Sequence, residues 1–302
     1  MKPKILSLGE VLWDLMPSGP VLGGAPANFA IHARALGADA ALVSRIGNDA
    51  LGHNILRHFT ETGFPTGLIA VDPTAKTGMV EVRLGGDGQP VYVIHEDVAW
   101  DRIATDASAM EAAAQADAVC FGSLAQRSKA SREAIRALVQ ATPKDALRVF
   151  DINLRQDYYS AELLETSLEL ANVLKLNDTE LPVLAEQFSL TGDTRAQLAK
   201  LAERFKLHAV VYTRGGSGSL LLVEGVFDEH TGIATQVRDT VGAGDSFTAA
   251  TVMGLLKGWP LHEINQTANE VAAFVCSQSG ATPTLPKILR ERFLAPETAL
   301  AE

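Results

Sequence analysis

Cysteine is scarce. Cys120 and Cys276 are the only two in 302 residues, too few for a disulfide framework. Both sit inside apolar runs and read as buried free thiols. No CxxC or His-x-x-x-His pair is present to hold a structural zinc ion, and His53 and His58, five apart, are poorly spaced as ligands and read as solvated surface. Basic runs are missing too. A formal net charge of -10 argues against nucleic acid or an anionic membrane as the main partner, although a local basic pocket on an acidic protein still suits a small anion. No apolar segment is long enough to span a bilayer, and the opening Met1-Lys2-Pro3-Lys4 does not read as a secretory signal, so the cytoplasm is the expected compartment. There is no GxxxxGK[ST] loop and no GxGxxG after the first strand, which disfavours a P-loop enzyme and a dinucleotide dehydrogenase. The run Gly215-Gly216-Ser217-Gly218-Ser219 lacks the closing glycine of a nucleophile elbow, which disfavours a serine hydrolase. Repeats and low-complexity tracts are absent.

What the chain does have is a stretch near its C-terminal end, Asp239-Thr240-Val241-Gly242-Ala243-Gly244-Asp245-Ser246-Phe247, running into the apolar segment Thr248 to Leu256. That segment spaces its apolar residues like a buried helix. Small residues at a helix start leave N–H groups and the positive end of the dipole facing outward, which makes an anion site. Asp245 inside such a site would repel a bound phosphate. The same carboxylate can accept a proton from a hydroxyl that attacks the phosphate. The plainer reading is an acid placed in a first helical turn because the dipole favours it. By the same reasoning the dipole is expected to lower the pKa of Asp245, leaving a weak base adequate for a late proton transfer.

Upstream, Ile5 to Gly9 reads as a buried strand, followed by Glu10 and Asp14, which share a face if the chain stays extended. Gly23-Gly24-Ala25-Pro26-Ala27-Asn28 predicts a tight turn into a helix from about Pro26 to Leu36, with Gly37 ending it. Asn28 offers donors and an acceptor suited to a polyhydroxy ligand. Strands at Ala40–Ile46 and Gly67–Val71 flank a helix at Ala50–Thr62, an alternation that implies βαβ units and a parallel sheet. Then Gly78–Leu84 and Pro90–Glu96, joined by Gly85-Gly86-Asp87-Gly88, predict a hairpin standing off the sheet as a small lid, with Val11 to Leu22 supplying its other strands. From Asp106 the alternation resumes, with helices at Asp106–Gln115, Ser128–Gln140 and Ser160–Leu170 and strands at Asp117–Phe121, Leu147–Ile152, Val173–Leu176, His208–Tyr212 and Ser219–Val223. Leu261–Ser277 and the tail after Pro286 read as helices. Ligands of open α/β sheets collect at the C-terminal strand ends. Those ends carry Gly122-Ser123, Asp151-x-Asn153-x-Arg155, Lys175-x-Asn177 with Glu180, and Thr213-Arg214-Gly215-Gly216.

These pieces, GGAPANFAIHARALG followed by VSRIGNDALG, and DTVGAGDSFTAA, resemble the ribokinase/PfkB family of carbohydrate kinases essentially end to end. The resemblance implies an α/β, ribokinase-like three-layer sandwich with a mostly parallel central sheet and a small β-sheet lid. Residues 1–10, 32–72 and 103–302 would form the main domain, and 11–31 and 73–102 the lid, through which a homodimer is possible. It implies ATP and a small-molecule sugar as partners, with Mg2+ and, as a further candidate, K+. Asp245 matches the catalytic base and Val241, Gly242, Ala243 and Gly244 the anion hole. Asp14, Gly23, Gly24, Asn28, Asn153 and Arg155 fall at acceptor positions; Lys175, Asn177, Thr213, Gly215, Gly218 and Asn269 fall at nucleotide positions. Glu180 corresponds to a magnesium site through water, and Asp239, with carbonyls around Val275 to Gly280, to a monovalent-cation site. GGAPAN, with Ala25 where ribokinase-like members carry lysine, and DINLR look most like fructokinases. A keto-deoxy sugar acid, ribose or a nucleoside remain as acceptors; a sugar acid would call on Arg83 and Arg155. A non-catalytic sugar or nucleotide sensor is the reading from another class.

Overall fold

The computed structural model describes residues 1–16, 19–84 and 90–294. Strands β1 (Lys4–Leu8), β2 (Leu12–Met16) and β3 (Gly19–Gly23) precede helix α1 (Ala25–Ala35). Then come β4 (Asp39–Gly47), α2 (Ala50–Glu61), β5 (Ile69–Asp72), β6 (Met79–Leu84) and β7 (Pro90–Ile94). The middle of the chain holds α3 (Ala107–Ala114), β8 (Ala118–Gly122), α4 (Lys129–Ala141), β9 (Leu147–Asp151), α5 (Ala161–Leu170), β10 (Val173–Asn177), α6 (Leu181–Phe188) and α7 (Thr194–Phe205). It closes with β11 (Ala209–Thr213), β12 (Ser219–Val223), β13 (Val226–His230), α8 (Ala243–Leu256), α9 (Leu261–Cys276) and α10 (Lys287–Leu294).

Nine strands form one sheet in the order β13-β12-β11-β10-β9-β8-β1-β4-β5. Every pair from β11 to β5 is parallel, and only β12 runs against its neighbours. Alternate residues of each strand face opposite layers, as the pleat requires. Leu6, Val119, Phe121, Phe150, Leu174, Leu176 and Val210 pack with α3 to α7. Ile5, Ala118, Cys120, Val149, Val173, Ala209 and Val211 pack with α1, α8, α9 and α10. Buried on both faces, the sheet is the middle of three layers, as expected for parallel strands.

A second sheet, β3-β2-β6-β7, pairs β2 in parallel with β6 and closes each side with an antiparallel neighbour. This is the lid foreseen in the sequence; its Gly85–Gly88 turn lies outside the described residues. Residues 25–31 open α1. They pack with α8 and β4, and Ala27, Phe29 and Ala30 are buried. Three elements were not foreseen: α6, α7 and β13. Cys276 is half-buried rather than buried, because it sits in the last turn of α9.

Five helices begin at a capping side chain. Asp49, Asp106, Ser128, Ser160 and Asp193 cap α2, α3, α4, α5 and α7 with side-chain oxygens. Such caps satisfy exposed N–H groups and stabilise each helix by roughly 1 kcal/mol. Helices α1 and α8 begin instead at Gly24 and Gly242, with φ of 103° and 78° and no side-chain cap. These two helices pack against each other.

Candidate active site

In α8 the Ala243 N–H bends back to the Thr240 carbonyl and the Ser246 N–H to Gly242. Among the described residues the N–H groups of Gly242, Gly244 and Asp245 have no protein acceptor, so they can turn to an anion. Gly242 is irreplaceable on two counts. Its φ is left-handed, and a Cβ there would lie 2.1 Å from the Ala281 carbonyl oxygen.

Strands β9 and β10 aim their last inward residues at this helix start. Asp151 and Lys175 are register partners on neighbouring parallel strands. They share the pleat face of Val149 and Val173, which looks toward α8. Lys175 Nζ lies 3.0 Å from Asp151 Oδ1, and both side chains are under a tenth exposed. Thr248 Oγ1 of α8 donates to Asp151 Oδ2 at 3.1 Å. The ammonium passes so close to α8 that a Cβ on Gly244 would stand 3.3 Å from Nζ. Burial disfavours the charge on Lys175, but Asp151, Glu180 and Asp245 outweigh it and raise its pKa.

Asp245 stands one residue further along, 9% exposed. Its Oδ2 accepts a 2.8 Å hydrogen bond from Asn28 Nδ2, carried by α1. The two glycine-opened helices therefore bring together residues 217 apart in the chain. Burial, then the Asp151 carboxylate, push the Asp245 pKa up to about 6, against the pull of Asn28, Lys175 and Arg155. The dipole-lowered pKa expected from the sequence is thus overturned: desolvation and a like charge outweigh the helix start, and Asp245 is a stronger base than expected.

Asp14 of β2 is the lid's contribution. Burial raises its pKa to about 6, with Arg155 opposing. A Cβ on Gly23 would come within 2.2 Å of Asp14 Oδ2, and one on Gly24 within 2.5 Å of the Glu10 carbonyl. Each glycine makes room for the acid or backbone beside it. Arg155 is exposed, yet its charge lowers the pKa of Glu10, Asp14 and Asp245 alike. Its loop is bent by two non-glycine residues in left-handed backbone, Asn153 (φ 43°) and Gln156 (φ 47°). Asn153 lines a small chamber of about 10 Å³ with Glu10, Ser123 and Asp151, space for a single water.

Glu10, which the sequence marks only as sharing a face with Asp14, lies in the site as well. Its side chain is 4% exposed, Oε2 has no hydrogen-bond partner, and burial lifts its pKa to about 7. Asp151, read only as a polar strand end, proves to be the partner of Lys175. Position was the available signal: both acids close strands of the parallel sheet.

On the other side, Asn177 Oδ1 accepts from the Thr179 N–H and hydroxyl and the Glu180 N–H. Glu180 is 3% exposed, and its two oxygens accept from the Leu154 and Asn177 N–H groups at 3.0 and 2.8 Å. Burial raises its pKa, with Lys175 opposing. Thr213 ends β11, and a Cβ on Gly218 would stand 2.0 Å from the His230 carbonyl, so this glycine seats β13. Gly215 bends the intervening turn at φ 53°. Asn269 Nδ2 is engaged with Ser219 Oγ at 2.7 Å and the Asn265 carbonyl at 2.8 Å, joining α9 to β12. Asp239 uses its two oxygens to hold the Val241 and Gly280 N–H groups, each at 3.0 Å. Among the described residues no three His, Cys, Asp or Glu side chains cluster to hold a metal ion. Nor is any described helix long and apolar enough to cross a membrane.

A mostly parallel nine-stranded sheet with a four-stranded lid is a ribokinase-like fold. The chain belongs to the pfkB family of carbohydrate kinases, whose family model matches residues 20–288. An uncharacterized sugar kinase of Pyrococcus horikoshii, PH1459, is 29% identical over 308 residues, covering 95% of this chain and 94% of the other. Its crystal structure in complex with ATP superimposes with a TM-score of 0.79 at 27% identity, over 95% and 99% of the two chains. Fructokinase-1 of Zea mays is 28% identical, covering 93% and 94% of the chains, and the fructokinase of Salmonella typhimurium 28%, covering 95% of each.

Proposed function

We propose that this kinase transfers the γ-phosphoryl group of ATP to the 6-hydroxyl of fructose, with Asp245 as the base. The observation that carries the chemistry is the Asp245 carboxylate, buried and held by Asn28 beside unpaired N–H groups of α8. A pKa of about 6 leaves it ionised at neutral pH and basic enough to draw a proton as the hydroxyl attacks. The N–H groups of Gly242 and Gly244 stabilise charge gathering on the transferred group, and Lys175 lies alongside to share it. Asp14 and Asn28 orient the sugar hydroxyls, while Arg155 offsets the acids around them.

Magnesium fits through Glu180, whose carboxylate is already tied to two backbone N–H groups and would reach the ion through water. When bound, Mg2+ neutralises the phosphate oxygens of the nucleotide. Potassium fits the Asp239 loop, where the carboxylate draws the Val241 and Gly280 turns together. We place ATP along Asn177, Thr213, Gly215 and Gly218, and a homodimer contact on the lid sheet, which sedimentation of the free protein tests.

Fructose rests on two supports. The maize and Salmonella relatives are named for it, and among the described residues the cations a sugar acid would call on already face acids. Of the two arginines a carboxylate would need, Arg155 already faces three acids, and the Arg83 side chain lies outside the described residues. The experiment is ADP release over fructose, ribose, tagatose, adenosine and keto-deoxygluconate. Fructose is expected to give the highest kcat/KM. Turnover led by another acceptor removes fructose while keeping the kinase, and release with none of them supports the sensor.

A further inference from the structure

The exit of the lid and the loop that carries Arg155 are fastened to each other by side chains that take no part in the chemistry above. β7 leaves the lid through His95, Glu96 and Asp97, the last in left-handed backbone at φ 54°. The Arg127 guanidinium meets this exit, donating from Nη2 to the His95 carbonyl. It also grips Asp101 from Nε and Nη2, each at 2.8 Å, and both side chains are under a tenth exposed. Its Cζ lies over two rings, 3.9 Å from the Trp100 centroid and 4.8 Å from that of Tyr158. Tyr158 then reaches the lid itself. Its hydroxyl donates to Glu96 Oε1 at 2.7 Å, with the Ile94 carbonyl 3.4 Å away.

Tyr158 belongs to the loop after β9. Its N–H closes a turn onto the Arg155 carbonyl at 3.1 Å, and the same loop donates the Leu154 N–H to Glu180. Arg155 is thus suspended between an anchor on the nucleotide side and an anchor on the lid. Left-handed backbone at Asn153 and Gln156 persists where neighbours enforce it. Contacts to Glu180 and Glu96 hold the two sides of this loop.

We propose that Tyr158 is a positioning residue that ties the Arg155 loop to the exit of the lid, so that lid and acceptor loop move as one piece. The inference rests on the kinase reading for what Arg155 does, but the tie itself is independent of it. Breaking the tie lets the lid shift without carrying Arg155 to the acids around the acceptor. Acceptor affinity then falls while ATP affinity is spared.

The test uses the full chain and begins without ligand. Tyr158→Phe keeps the ring over Arg127 and removes only the hydroxyl. Hydrogen–deuterium exchange is expected to quicken several-fold both at 79–84 and at 152–158. With fructose and ATP, KM for fructose should rise by about tenfold, the worth of one hydrogen bond to a charged group, while KM for ATP stays within about twofold. Glu96→Ala, at an exposed position, should reproduce this, and Glu96→Gln, which keeps an acceptor for the hydroxyl, should restore it. The double variant Tyr158→Phe/Glu96→Ala should be no worse than either single one. Unchanged exchange in both segments, or additive losses in the double variant, overturns the proposal. If fructose is not phosphorylated by the unaltered protein, the acceptor assignment fails and the exchange experiment still decides the tie.

Discussion

Asp245 is where two opposing fields meet on one carboxylate. The helix start favours its charge, while burial and Asp151 disfavour it and win, setting the pKa near 6. Catalysis needs the ionised form, so kcat/KM should climb as pH rises through about 6 and level off above it. Stability runs the other way. A folded pKa above the ordinary 3.8 means that folding favours the protonated acid. That contribution is complete below 3.8 and is lost as pH rises through about 6. Asp245→Asn should therefore cut kcat by roughly 10²–10⁴-fold while the melting temperature at pH 8 rises or holds. Near-normal turnover in a pH-rate series would remove Asp245 from the mechanism. Lys175→Met should behave in the opposite sense. It strands Asp151 in the core without its partner, and a broken buried pair of this kind costs about 3–5 kcal/mol, readable as a lower denaturant midpoint.

At the scale of elements, the start of α8 is set by Gly242. Gly242→Ala forces a side chain into left-handed backbone and against the Ala281 carbonyl. Strain alone costs about 1–2 kcal/mol, and relieving it means moving the first turn away from Asp245, so both melting temperature and turnover should fall. Gly244→Ala meets only the flexible end of Lys175 at 3.3 Å and should keep more stability while losing activity. Elements whose signals are local were legible in the sequence. Glycines at 24, 37 and 242 and the caps Asp106, Ser128 and Ser160 stand where helices begin or end. The helices α6 and α7 went unread although Asp193 caps α7 and Leu198 and Leu201 bury at helical spacing. The short edge strand β13, with its exposed or half-buried pattern, carried no core signal to find. Within the site, Asn28 and Asp245 were both named, but their hydrogen bond needs α1 to lie on α8. The Lys175–Asp151 pair needs β10 beside β9 in a fixed register. Such pairings belong to the tertiary fold, and spacing along the chain does not encode them.

Across the whole molecule, acids with raised pKa values gather at one place. Glu10 titrates near 7 and Asp14 and Asp245 near 6, all through burial. Each adds stability that is present at low pH and fades as pH rises through 6 to 7. Asp72, lowered to about 2 mainly by the Ala75 and Thr74 N–H groups, works in reverse and loses its contribution only in strong acid. The ligand-free protein should thus melt at a higher temperature at pH 5.5 than at pH 8. Glu10→Gln should flatten that slope, and a scan of melting temperature against pH checks it.

The loop from Ile152 to Tyr158 is held by Glu180 at one end and Glu96 at the other. Anyone grafting that loop from a relative with a different appetite for sugars inherits a hidden condition. The transplant needs its moorings to travel with it, one in the nucleotide half and one in the cover, or the new arginine will arrive at the wrong address.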